Sequence, residues 1–110
     1  MTGPAGLARC VVAVDTGAVR TSISPFLLEA VGYELITSPR TTAVVSATGL
    51  TRAPVFDSVQ VMALGERRDL DVMALQLPQG LNFQGLLGLD FFRGTALIID
   101  FANGFIELNR

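Results

Sequence analysis

Val11-Val12-Ala13-Val14-Asp15-Thr16-Gly17-Ala18 is the stretch that leaves this chain least freedom. Branched side chains in near succession favour a buried strand, because they pack well on a pleated surface. That strand delivers a carboxylate to its own end, where a hydroxyl residue and Gly17 turn the backbone. Gly17 permits a backbone geometry and a closeness of approach that any side chain would obstruct. A carboxylate at the end of a buried strand is costly unless it is hydrogen bonded or used chemically. Asp-Thr-Gly also suits an ordinary turn in which Asp15 caps the residues after it, so the rest of the chain has to decide.

Bulk properties narrow the choice. A chain of 110 residues is one domain, with room for a single core and not for two lobes. Half of it is apolar and 16% is charged, which excludes disorder. So small a domain cannot bury that much apolar surface alone, and a partner chain is expected to cover part of it. The net charge is −2 and the longest basic run is Arg67-Arg68, which gives nucleic acid little to hold. With no histidine, Ser-His and Cys-His catalysis and the commonest metal ligand are absent. The lone Cys10 cannot form an internal disulfide and reads as a small core residue without a base to activate it. No metal or cofactor is expected. No run reaches membrane-spanning length and no signal pattern opens the chain, so a cytoplasmic location is the default expectation, with no membrane partner.

In chain order, Gly3-Pro4-Ala5-Gly6 reads as a turn, residues 10–14 as the first core strand and 21–23 as a second. Ser24 and Pro25 predict an N-cap and first helical position, with a short helix through Val31 stopped by Gly32. Residues 41–46 and 50–56 form a hairpin with Ala47-Thr48-Gly49 at its tip. Pro54 suits a projecting ribbon, since it cannot donate to a ladder. Strands follow at 57–64 and 70–77, separated by a polar turn at Gly65-Glu66-Arg67-Arg68, and a second short helix spans Leu86 to Arg93, ended by Gly94. Strands at 95–101 and 105–109 flank Ala102-Asn103-Gly104, where Asn-Gly is a strong hairpin signal. The expectation is a mostly β domain with two short helices.

Two blocks carry a resemblance to a known family. Asp15-Thr16-Gly17-Ala18 resembles the active-site loop of the aspartic proteases, and the alanine points to the retroviral-type, single-domain branch. Gly85-Leu86-Leu87-Gly88-Leu89-Asp90-Phe91-Phe92, followed by Thr95 to Phe101, resembles that family's second block of two apolar residues and a glycine, a helix and a hairpin strand. The chain is thus similar over roughly residues 7–109 to retropepsin-like proteins, closest to the bacterial members. The resemblance implies an acid-protease closed β-barrel with a flap hairpin, spanning residues 1–110 as one domain. It also implies a first strand ahead of the Gly3–Gly6 turn, which would have to lie before Met1 and is missing.

The implied activity is that of an aspartic endopeptidase without a cofactor. Such chemistry needs two carboxylates about 3 Å apart sharing one proton, one acting as base on a water and the other polarising the scissile carbonyl. A mildly acidic optimum follows. Only Asp15 lies in a suitable loop. Asp57-Ser58 is followed by Val59 where glycine is needed, Asp90 opens a helix, Asp100 precedes a turn, and Asp69 and Asp71 sit on one solvated strand face. The second aspartate is therefore expected to be Asp15 of another copy in a homodimer. The resemblance makes Asp15 the acid or base, Thr16 a hydroxyl bonding across the dimer axis and Gly17 an amide close to the carboxylates. It puts Ala18 in the substrate cleft, Thr48 and Gly49 at the flap tip, and Gly88 where the helix packs beneath the loop. An apolar cleft should prefer apolar peptide residues. The alternatives are a catalytically silent module for dimerisation or peptide binding, a piece of a longer polyprotein, and a monomeric small-ligand barrel.

Overall fold

The computed structural model describes residues 1–34, 40–46, 49–78 and 80–109. In chain order the elements are β1 (Thr2–Gly3), β2 (Gly6–Leu7), β3 (Val12–Val14), β4 (Ser22–Ile23), α1 (Pro25–Ala30), β5 (Arg40–Ser46), β6 (Gly49–Ala63), β7 (Glu66–Ala74), β8 (Gly85–Leu87), α2 (Leu89–Phe92), β9 (Ala96–Asp100) and β10 (Phe105–Asn109). An eight-stranded sheet runs β2-β1-β6-β7-β4-β8-β3, with β5 paired on β6, while β9 and β10 form a pair of their own. The mostly β chain, with its two short helices, curls this sheet into a half-barrel whose end strands are β2 and β3. The closed barrel is thus half formed within one chain. The turn at Pro4-Ala5 is preceded by the two-residue β1, paired with β2 and, through Thr2, with Gln60 of β6.

The core is built by period-two burial on the sheet and by one face of each helix. Along β7, Leu70, Val72 and Ala74 point inward and Asp69 and Asp71 outward, as pleating requires. Leu28 and Val31 of the α1 region and Phe91 and Phe92 of α2 close over Ile23, Val59, Val72 and Leu87. Helix α1 is too short to persist unaided, so packing and its ends hold it. The Ser24 side chain makes no capping bond, but its carbonyl accepts from Leu27 and Leu28 at 3.1 and 3.2 Å. At the other end Gly32 takes φ 101°, its amide bonds the Glu29 carbonyl at 3.0 Å, and the Tyr33 amide bonds the Leu28 carbonyl at 2.9 Å. That pair of bonds is a Schellman stop, which needs a residue tolerant of positive φ.

Three elements differ from expectation. Gly85-Leu86-Leu87 is a strand and not the start of a helix: β8 lies parallel to β3 (Val14↔Leu87) and antiparallel to β4 (Ser22↔Leu86). A three-residue apolar run has no period of its own, and here the slot between two strands captures it. Helix α2 therefore begins only at Leu89, after Gly88 in extended conformation (φ −89°, ψ −178°).

The turn between β6 and β7 is tighter than expected. Leu64 and Gly65 at φ 52° and 77° close it in two residues, the sign pattern of a type I′ turn. Glu66 and Arg68 consequently belong to the strand, paired at 3.2 Å, with the Arg68 guanidinium 5.6 Å from the centre of the Phe91 ring. Finally, β6 is one strand of fifteen residues kinked by a bulge between Phe56 and Val59. Pro54 pairs with Thr41 of β5, one residue before the β7 ladder begins at Val55, so it lies in the projecting ribbon. At the ribbon's root Arg40 bridges Asp57 and Asp71, and Asp71 also accepts the Ser58 amide at 3.1 Å. Asp69 and Asp71 are both exposed, and Asp71 is in addition tied into an ion pair.

Candidate active site

Asp15 stands at the end of β3, where its amide donates to the Leu87 carbonyl at 3.0 Å and extends the ladder to β8 by one bond. The chain then turns: the Ala18 amide bonds the Asp15 carbonyl at 3.1 Å, and the Gly17 amide donates to Asp15 Oδ1 at 3.0 Å. A Cβ at Gly17 would lie 3.3 Å from that same oxygen, so this glycine serves close approach and not handedness. Asp15 and Ala18 are half-buried while Thr16 and Gly17 are exposed. Strand geometry thus brings residues 15–18 together and presents one carboxylate at a surface, oriented by a backbone amide.

The loop is bound from behind by the segment that opens α2. Leu89 and Asp90 amides donate to the Ala18 and Val19 carbonyls at 2.8 and 3.2 Å. The Gly88 amide donates to Thr21 Oγ1 at 3.0 Å, and that hydroxyl donates to Asp90 Oδ1 at 2.7 Å. The Thr21 amide reaches both Asp90 oxygens at 3.0 Å, and the Phe91 amide reaches Oδ1 at 2.9 Å. Gly88 is required by space. A Cβ there would sit 2.7 Å from the Arg20 carbonyl carbon and 2.9 Å from the Thr21 nitrogen, backbone atoms that cannot turn aside. Asp90 does bond backbone amides, as its place at the helix start implied. Thr21 is the residue that sequence reasoning missed, and its partner lies 69 positions away, out of reach of any local pattern.

Four other aspartates have structural settings. Asp57 and Asp71 share Arg40, Asp90 is engaged as above, and Asp100 accepts the Asn103 amide and side chain at 3.0 and 2.9 Å across the β9–β10 turn. Burial pushes the Cys10 thiol above its usual range, which keeps it protonated and a poor nucleophile. Of the pair expected at the flap tip, Gly49 is exposed at the start of β6 with φ 129°, and Thr48 lies outside the described residues. Among the described residues, no helix is long and apolar enough to cross a membrane.

Thr16 opens onto a groove of about 600 Å³ shared with Val19, Leu89, Leu97 and Ile99. The groove leads to the β9–β10 hairpin, whose Ile98, Ile99, Phe105 and Ile106 are roughly two-fifths exposed and whose Phe101 is 91% exposed. Only Leu97 and Leu108 of this hairpin pack on the core.

A β-strand ending in Asp-Thr-Gly, laced to a glycine-bearing turn and short helix in a curled sheet, is consistent with the retropepsin-like fold of the aspartyl proteases. The family described as "gag-polyprotein putative aspartyl protease" matches residues 6–94. That span covers most of the chain, including the Asp15 loop and residues 85–92 but not the hairpin strand after them, and the chain belongs to this family. No curated protein and no solved structure matches it.

Proposed function

We propose that this protein is an aspartic endopeptidase that acts as a homodimer, with the two copies of Asp15 sharing one proton and activating one water. The observation that carries the reading is the Asp15 loop: a carboxylate at a strand end, half-buried, bonded by the Gly17 amide and fixed to the segment 87–90. One chain holds one such loop among the described residues, and the dyad needs two carboxylates about 3 Å apart. A two-fold partner supplies the second without further sequence. Its approach is supported by Thr16, exposed beside a groove that continues into a hairpin whose apolar side chains are exposed among the described residues. In the dyad, repulsion between the carboxylates retains the shared proton, the ionised member takes a proton from water, and the protonated member polarises the peptide carbonyl. Peptide substrate would lie between the loops and the β5–β6 ribbon, with Ala18, Thr48 and Gly49 as contacts.

A module that dimerises or binds peptide without cutting would use the same exposed hairpin, so catalysis itself has to be measured. Wild type and Asp15→Asn are incubated with a mixed peptide pool from mildly acidic to neutral pH over a series of protein concentrations. Cutting that vanishes in the variant and rises faster than linearly with concentration is the expected result. An inert but dimeric wild type would leave the non-catalytic module as the function.

A further inference from the structure

We propose that Asp90 is a positioning residue for Asp15, acting through Thr21 to hold the 15–20 loop in place; its effect on rate rests on the aspartic-peptidase reading, its effect on the loop does not. The loop is attached to one segment at both ends. At the front Asp15 bonds Leu87, and at the rear Thr21 bonds Gly88 and Asp90. The front attachment continues a strand ladder and recurs wherever β3 and β8 pair. The rear attachment joins two backbone bonds, from the Leu89 and Asp90 amides to the Ala18 and Val19 carbonyls, to a set of side-chain bonds that runs through Thr21 and Asp90. Thr21 is fully buried, its carbonyl is occupied by the Met73 amide at 3.0 Å, and its hydroxyl accepts from Gly88 while donating to Asp90. Only an acceptor can face it, because Thr21 N–H, Thr21 O–H and Phe91 N–H all point at the Asp90 carboxylate. The carboxylate group accepts from all three donors; an amide would turn its own NH2 toward one of them. Burial of Thr21 keeps water from repairing the loss.

The consequence is geometric. If the rear of the loop slackens, Asp15 shifts about its front attachment, and a dyad that works at about 3 Å tolerates little displacement. Asp90 therefore influences a carboxylate that it does not touch, and the Gly17 amide, which bonds Asp15 Oδ1, reports the loop's position.

The test compares Asp90→Asn, Thr21→Val and Thr21→Ser with the core control Val72→Ala in the full chain. Gly17 and Ala18 amides are followed by NMR and hydrogen exchange, and cleavage of a peptide pool is followed in parallel. Asp90→Asn and Thr21→Val are expected to shift both amides and to speed their exchange about tenfold, equivalent to one net hydrogen bond. Thr21→Ser keeps the hydroxyl and should resemble wild type. In cleavage, the first two should lower kcat about 10- to 100-fold with KM within about twofold. Folded Asp90→Asn or Thr21→Val with unchanged Gly17 and Ala18 amides would overturn the proposal, as would Val72→Ala reproducing the same shifts. Should Asp90→Asn not fold, Thr21→Val against Thr21→Ser decides. If wild type cuts nothing, the peptidase reading fails while the amide measurements still decide the role of Asp90.

Discussion

Residues 85–92 and 96–109 are neighbours in the chain and opposites in how they settle their surfaces. The first segment buries Leu87, Phe91 and Phe92 and directs its amides and the Asp90 carboxylate onto the Asp15 loop. The second completes its backbone ladder from Ala96↔Asn109 to Asp100↔Phe105 and yet leaves isoleucines and phenylalanines of the hairpin open to solvent. A segment satisfied within its own chain defines where Asp15 stands. A segment satisfied only in its backbone, with apolar side chains uncovered beside Thr16, is the surface on which the proposed dimer would close.

The largest effect should come from the satisfied side. Phe91 is fully buried, meets Phe92 edge-on at 5.4 Å between ring centres and lies beneath Arg68. Phe91→Ala should cost about 3–5 kcal/mol in urea unfolding; a loss below about 1 kcal/mol would mean that this region is not the anchor described. Gly88→Ala comes next. Its methyl would press on the Arg20 and Thr21 backbone, and about 1–3 kcal/mol should be lost, with Gly17 and Ala18 amide shifts moving in the folded variant.

On the open side, Ile99→Glu should leave stability of the single chain within about 0.5 kcal/mol while abolishing the dimer in sedimentation equilibrium. An unchanged dimer would remove the hairpin from the interface. The smallest effect belongs to the hairpin turn. Hydrogen bonding by the Asn103 side chain, more than by its backbone amide, holds the Asp100 carboxyl below its ordinary 3.8. A depressed folded pKa gives stability that is present above the ordinary value and lost as pH falls below it toward the folded value. Asn103→Ala should raise the Asp100 pKa toward 3.8 in a carboxyl-detected NMR titration and narrow that acid-side loss.

Local chemistry made much of this legible in advance. The Asp15 turn, the Gly32 stop, the Asn103-Gly104 hairpin and the mostly β count all follow from residues within a few positions of one another. Where the outcome depended on distant partners, the reading slipped. Leu86 and Leu87 were expected in a helix because nothing local reveals the slot between β3 and β4 that makes them a strand. Leu64 entered positive φ beside Gly65 and tightened a turn that its own type disfavours. Thr21 carried no signal at all, since its meaning comes from Asp90 across the fold.

The central claim, that each active site needs Asp15 from two chains, is tested most directly by mixing. Wild type and Asp15→Asn are combined at fixed total concentration, allowed to exchange subunits, and assayed on a peptide pool. Random pairing makes an equal mixture about one-quarter as active as pure wild type, because mixed dimers hold one carboxylate. A fall to about one-half, the value for sites independent within each chain, or full activity in Asp15→Asn alone, would contradict the account.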